Sequence, residues 1–203
     1  MIFRLVVRLP VFLIAILLSN AQALVFGNSH ELGIAAYLRG DYQEAAQDLT
    51  DAATHDDPAA YFYLGQMYRQ GLGGLTVDSM NAYHLIKAAA QEGFAPACMS
   101  LADWYAHGGQ GIHVNNDLAI LWLEKAAKLH VREAQMRLAD IYQKGLMGVL
   151  PDETLAQHWL KQAASEGDSI AQWRLDKLVG TTRLAQHPAE PQAGEMASLP
   201  VSP

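Results

Sequence analysis

The chain of 203 residues contains a single cysteine, Cys98. An intrachain disulfide framework, a redox pair of two cysteines and a cysteine-rich zinc site are therefore excluded. Positive charge is also scarce: there are 14 lysines and arginines against 21 aspartates and glutamates, and the formal net charge is −7. A nucleic-acid-binding protein needs a basic face that displaces counterions, so the charge balance disfavours that class.

Long apolar runs are missing apart from one short stretch near the amino terminus. Residues 10–18 are apolar throughout, but the stretch is far shorter than the roughly 20 residues that a membrane-spanning helix needs. Arg4 and Arg8 precede it, and an Ala-Gln-Ala tripeptide ending at Ala23 follows it. This arrangement predicts an export signal over residues 1–23 that is cleaved off, rather than a retained anchor. The mature chain is expected in the periplasm, or alternatively outside the cell, with no stable membrane insertion.

The most prominent positive feature is a repeat of 37 residues that runs without a gap through three units. At this shift, alanine, leucine, tyrosine and glycine recur in register. The recurring positions are Ala60, Ala97, Ala134 and Ala171; Leu64, Leu101, Leu138 and Leu175; Tyr68, Tyr105 and Tyr142; and Gly71, Gly108 and Gly145. A period of 20–50 residues is typical of a solenoid built from supersecondary units.

Each repeat unit has the pattern of two helices joined by a glycine-rich turn. In the first unit, Ala60, Leu64 and Tyr68 are spaced to share one helix face. Gly71 is expected to end that helix, because glycine adopts the left-handed conformation without steric cost. A side-chain oxygen then caps the second helix, and alanine pairs near its end permit close helix approach. The expected capping residues are Asp78, Asn115 and Asp152.

The fold class predicted from this pattern is an all-α, right-handed α-solenoid of antiparallel helical hairpins over residues 24–178. A shorter unit similar to a tetratricopeptide repeat comes first, and a capping helix closes the array. The tail 179–203 is expected to be disordered, because it holds four of the eight prolines and no amphipathic period. The expected boundaries are 29–57 for the short unit, 59–93, 94–130 and 131–167 for the repeats, and 168–178 for the capping helix.

The repeated Leu-(Gly/Ala)-x-x-Tyr-x-x-Gly pattern, followed by a Gly-apolar loop and Ala-Ala-x-x-Gly, resembles the Sel1-like repeat (SLR) family. Trp122 and Trp159 match the tryptophan position of that family, whereas Leu85 departs from it. The resemblance covers residues 59–178. It implies a non-enzymatic interaction scaffold of the bacterial cell envelope, at secretion systems or at host contacts. Members linked to β-lactam binding carry paired cysteines in each repeat, and with Cys98 alone that branch is not supported.

Solenoids of this kind expose a concave face that is lined by the first helix of each hairpin. Aromatic and methionine side chains among polar groups on this face are typical of binding anchors for a protein or peptide partner. In the alternative interpretation, Phe62, Met99 and Met136 pack between neighbouring hairpins. The partner-binding residues predicted by register are Phe62, Gln66, Arg69, Met99, Asp103, His107, Met136, Asp140, Gln143, Lys144 and Trp173.

Two other functions remain open from the residues. Asp103 and Asp140 recur in register and could act as the acid and base of a cell-wall hydrolase. Trp104, Trp122 or Trp173 could form a stacking platform in a carbohydrate-binding accessory of envelope polysaccharide export.

Metal and cofactor sites have little support in the sequence. His107 and His113 flank a glycine loop, but their spacing does not match that of zinc ligands and no third ligand is evident. The glycine-rich turns lack the Lys-Ser/Thr pair of a phosphate-binding loop. No metal, cofactor or nucleic acid is therefore expected.

Overall fold

The computed structural model describes residues 29–109 and 111–186, with side chains up to Gly180. The expected export signal and residues 187–203 of the expected tail lie outside the described residues. Within them the chain forms nine α-helices and no strand, apart from an isolated bridge between Gly109 and Ile112. The helices are α1 (29–39), α2 (Tyr42–Ala53), α3 (Pro58–Gln70), α4 (Ser79–Gln91), α5 (Ala95–His107), α6 (Asn116–Lys128), α7 (Arg132–Lys144), α8 (Glu153–Ser165) and α9 (Ser169–Gln186).

The described residues divide into two compact units, the first ending at Leu129 and the second beginning at His130. In the first unit, α3 packs against α4 and α5 against α6, while α2 packs on α3 and α4 on α5. In the second unit, α7 packs against α8 and α8 against α9. Each repeat of 37 residues is therefore one antiparallel helical hairpin, and the predicted all-α class of repeated hairpins is confirmed.

The second helix of each hairpin begins at the predicted capping residue. Asp78 accepts a hydrogen bond from the Asn81 N–H at 2.9 Å. Asn115 accepts one from Leu118 at 3.0 Å, and Asp152 one from Leu155 at 2.9 Å. These side-chain oxygens satisfy amide groups that have no partner inside the helix.

The first helix of each hairpin stops at the predicted glycine. At Gly71, Gly108 and Gly145 the backbone φ angles are 70°, 72° and 66°, a region that L-residues with a Cβ rarely adopt. Helix α3 starts with Pro58 in its first turn, and the Asp57 side chain caps it.

Small residues form the inner part of each hairpin. The recurring alanines of the first helices and those at positions 82, 119 and 156 of the second helices are fully buried. Trp122 and Trp159, at the expected tryptophan position, are also buried. Leu85, which replaces tryptophan in the first repeat, is partly buried against the core of the first hairpins.

Helix α9 runs to Gln186, beyond residue 178 where the capping helix was expected to end. Residues 179–186 contain no proline, and the first one after them is Pro188. Gly180 weakens a helix by about 1 kcal/mol relative to alanine but does not block its backbone hydrogen bonds.

Candidate functional site

In the first unit, the predicted anchor Phe62 takes part in packing between hairpins. Its ring centroid lies 5.3 Å from that of Phe94 and 5.3 Å from that of Tyr63. Phe94 directly precedes α5 and so leads the next repeat. Phe62 is partly buried by these contacts, and Met99, at the equivalent position one repeat later, is partly buried too.

The polar residues predicted in the first unit are engaged locally along their own helices. Arg69 donates from Nε to the Gln66 side-chain oxygen at 2.9 Å, and both residues are half-buried. The exposed His107 has its Nδ1 atom 3.0 Å from the main-chain carbonyl oxygen of Asp103. Asp103 itself is half-buried on α5.

Two of the five residues predicted in the second unit bind one arginine. Arg174, on α9, donates from Nη2 to the Asp140 carboxylate at 2.6 Å and to the Gln143 side-chain oxygen at 2.8 Å. Lys144 also approaches Asp140, at 3.7 Å. Asp140 therefore links α7 to α9 through its hydrogen bond with Arg174. Asp140→Lys would place a third cation beside Arg174 and Lys144. Met136, on α7, is partly buried.

Trp173 is the most exposed of the predicted aromatic anchors, with 62% of its surface accessible. The Nζ atom of Lys177 lies 5.3 Å from the indole ring centroid, which is a cation–π distance. An open cavity of about 260 Å³ adjoins the ring and is lined by Gln143, Trp173, Arg174, Lys177 and Leu178. The cavity offers an apolar ring together with hydrogen-bonding and charged groups.

Arg174, Lys177 and Leu178 belong to this site but were not among the residues predicted from the sequence. One signal in the sequence could have indicated Lys177, because it follows Trp173 by four residues and so lies on the same helix face. Arg174 had no such signal, since its partners on α7 lie 34 and 31 residues away.

The structure limits the other interpretations. Trp122 is buried, so it cannot serve as a stacking platform. Trp104 is half-buried, with its ring 6.4 Å from that of Tyr83. Cys98 is buried, its thiol faces the Ala90 carbonyl oxygen at 3.6 Å, and burial raises its pKa, which makes it a poor nucleophile.

Across the residues that the structure describes, no three His, Cys, Asp or Glu side chains come close enough to hold a metal ion. A wider groove of about 800 Å³ follows α2. Its lining is mostly small and polar and includes no aromatic anchor. The lining residues are Gln43, Ala46, Gln47, Thr50, Asp51, Thr54 and Gly73.

Antiparallel hairpins with capped second helices and buried small residues define the class of helical-repeat proteins that includes the tetratricopeptide repeats. The Sel1 repeat model matches residues 58–94, 95–131 and 132–168, which is more than half of the chain. The chain therefore belongs to the Sel1 repeat family. Sel1 repeats form helical scaffolds that are generally non-catalytic and typically mediate protein–protein interactions.

Two solved structures show the same fold. A Sel1 repeat protein from Oxalobacter formigenes is 34% identical with a TM-score of 0.57, and the match covers 64% of this chain and 96% of that one. A protective antigen of uropathogenic Escherichia coli strains, with an SLR fold, is 26% identical with a TM-score of 0.64. That match covers 78% of this chain but only 34% of the antigen. No functionally curated protein matches the chain significantly.

Among the helices described, none is both long enough and apolar enough to cross a membrane.

Proposed function

We propose that this protein is an exported scaffold of the bacterial cell envelope that binds a protein or peptide partner. The contact surface is the first-helix side of its hairpins, and its best-formed part lies in the second unit. One observation carries the proposal: the exposed indole of Trp173 stands beside the hydrogen-bonded group of Asp140, Gln143 and Arg174.

This arrangement combines an apolar anchor, the Trp173 indole, with polar side chains around it. Tryptophan offers a large apolar area and is enriched among the residues that dominate binding energy. Arg174 is held by its two partners on α7, and its side chain is only 19% exposed. A group that is already ordered loses little conformational entropy when a partner binds.

The envelope location rests on the export signal expected over residues 1–23.

The test is photo-crosslinking in the native envelope, with a photoreactive residue at position 143. We expect it to capture a protein other than this chain. Trp173→Ala should weaken partner binding about thirtyfold or more and lower the crosslinking yield accordingly, because loss of a dominant anchor costs about 2 kcal/mol or more. Leu121→Ala is the matched control, since Leu121 is 51% exposed but lies on a second helix, and it should leave the yield unchanged.

Two results would contradict the proposal. One is that no foreign protein is captured from position 143. The other is that the captured protein is retained equally in the Trp173→Ala and Leu121→Ala variants.

A further inference from the structure

The cavity beside Trp173 is lined by side chains that keep hydrogen-bond donors for a ligand. Within the described residues Arg174 uses only its Nη2 group, on Asp140 and Gln143, so its Nε and Nη1 groups keep their N–H donors. The Gln143 side-chain oxygen accepts one of those bonds. Its amide nitrogen, which only donates, has no partner among the described residues.

The other lining residues add donors and no acceptor. The Lys177 ammonium group, 5.3 Å from the centroid of the Trp173 ring, only donates, and so does the indole N–H. Leu178 has no polar side-chain group. Among the described side chains that line this cavity, the one acceptor is therefore the Gln143 oxygen, and Arg174 already occupies it.

The charges near the cavity favour an anion. Arg174 and Lys144 share the Asp140 carboxylate, at 2.6 and 3.7 Å, and Lys177 adds a further positive charge. The nearest acidic residue on α9, Asp176, accepts a hydrogen bond from Gln172 at 2.9 Å and does not line the cavity.

We propose that this cavity binds an aspartate or glutamate side chain of the partner that lies next to an apolar residue. An ionised carboxylate only accepts hydrogen bonds, so it matches a cavity of donors, whereas a basic side chain only donates and a sugar hydroxyl does both. The adjacent apolar side chain contacts the Trp173 indole and Leu178. This inference rests on the proposed function and names the chemistry of its partner.

Arg174 and Lys177 contribute unequally. The Arg174 side chain is only 19% exposed, and a hydrogen bond that is shielded from water is the stronger one. Lys177 is exposed, and an ion pair in water contributes little. Because Arg174 also links α9 to α7, its role is tested by changing the ligand, and the role of Lys177 by changing the protein.

The ligand test uses a defined probe, acetyl-Gly-Leu-Glu-Leu-Gly-amide, whose single charge is the glutamate carboxylate. Binding is followed by nuclear magnetic resonance of the Trp173 indole N–H, assigned with Trp173→Phe. This resonance should shift to saturation with a Kd of about 1 mM or lower. The matched peptide with glutamine in place of glutamate should bind about tenfold more weakly, because an ionised acceptor makes the stronger hydrogen bond.

Two outcomes of the ligand test overturn the inference. One is a Trp173 resonance that does not move at about 10 mM glutamate peptide. The other is equal affinity for the two peptides.

The protein test changes the charge of Lys177. Lys177→Met should weaken binding of the glutamate peptide about two- to fivefold, the range of an exposed ion pair. Lys177→Arg keeps the positive charge and should keep the affinity. Lys161→Met is the matched control, because it removes an exposed charge from α8 in the same unit. An equal loss of affinity in Lys161→Met and Lys177→Met would show that overall charge, rather than this cavity, attracts the peptide.

The chain itself offers another occupant, because Glu190 and Glu195 follow α9 in the sequence. The double variant Glu190→Gln/Glu195→Gln, with no peptide present, should leave the Trp173 resonance unmoved. A shift in this variant would mean that carboxylates of the same chain fill the cavity, and the partner carboxylate would be ruled out.

Crosslinking at position 143 separates this inference from the proposed function. Replacing the acidic residues of the captured segment by their amides should lower the crosslinking yield. A captured protein that binds equally well after this replacement supports the proposed function and overturns the inference. Binding of the glutamate peptide without any captured protein contradicts the proposed function and supports the carboxylate chemistry of the cavity.

Discussion

At the scale of single residues, Lys125 performs a structural task that the repeat pattern does not show. Its Nζ atom donates to the carbonyl oxygens of Ala90 and Gln91 at 2.6 and 2.9 Å. These carbonyls belong to the last turn of α4, where a positive charge also interacts favourably with the helix dipole. The ammonium group lies 5.1 Å from the ring centroid of Trp122 as well. Lys125 therefore joins one hairpin to the next.

Lys125→Met should lower the free energy of unfolding by about 1.5–3 kcal/mol, since it removes hydrogen bonds made by a charged group. Urea denaturation measures the change. The control is Lys128→Met, an exposed position in the same helix, which should stay within about 0.5 kcal/mol of the unaltered chain. Equal changes in the free energy of unfolding for the two variants would show that the hydrogen bonds from Lys125 to α4 do not contribute to stability.

Ala126, the next residue, tests the packing of the alanine pair. It is fully buried, so Ala126→Leu should overpack the hairpin and cost about 1–3 kcal/mol. Thermal melting measured against the same Lys128→Met control would detect this. An unaltered melting curve would contradict close helix approach at this position.

The two neighbours differ in how far the sequence revealed them. Ala126 recurs in register with Ala89 and Ala163, so the repeat alone indicates a buried small residue. At the Lys125 position the other repeats have Ala88 and Gln162. Lys125 therefore does not recur in the other repeats, and its acceptors lie 35 and 34 residues away. No local pattern in the sequence indicated its role.

At the scale of the helix, the capping residues can be tested against an isosteric control. Asp152→Ala removes the acceptor for the Leu155 N–H and should cost about 0.5–2 kcal/mol. Asp152→Asn keeps a capping oxygen, as Asn115 does in the preceding hairpin, and should cost much less. The measurement is the free energy of unfolding from urea titration. Equal losses in both variants would mean that the negative charge, and not the cap, matters there.

The α7–α8 hairpin also contains a pH-sensitive contact. Glu166 accepts a hydrogen bond from the Gln135 side chain at 2.9 Å, and its other partner is the His130 Nδ1 atom at 2.7 Å. The Gln135 hydrogen bond is the main cause that lowers the pKa of Glu166, and His130 adds to it. A carboxyl group with a lowered pKa in the folded state stabilises the fold above its unfolded pKa, near 4.5, and loses that contribution as the pH falls.

Glu166→Gln should therefore reduce the free energy of unfolding at pH 7, and the difference from the unaltered chain should shrink as the pH falls below about 4.5. Urea titrations at several pH values measure it, with Glu92→Gln, at an exposed glutamate, as the control. A difference that is constant from pH 7 down to pH 3 would contradict the role of the Glu166 charge.

At the scale of the whole molecule, one prediction concerns the mature amino terminus. If the export signal is cleaved after Ala23, intact-mass spectrometry of the chain from its native envelope should find a polypeptide beginning at Leu24. Ala23→Leu should block processing, because signal peptidase requires a small residue there. Gln22→Leu is the matched control and should still be processed. A mature chain that retains Met1 would indicate an anchor instead.

The sequence alone determined the helical hairpins, their caps and the buried alanines, because these features depend on contacts within a helix or between adjacent helices and recur every 37 residues. Asp78, Asn115 and Asp152 were identifiable for that reason. The tertiary structure decided which exposed residues form a site. It covered Phe62 with Phe94, left Trp173 open, and brought Arg174 to Asp140 and Gln143. These outcomes depend on which hairpin follows each helix and on the non-repeating residues that it carries, and a periodic pattern contains no information about either.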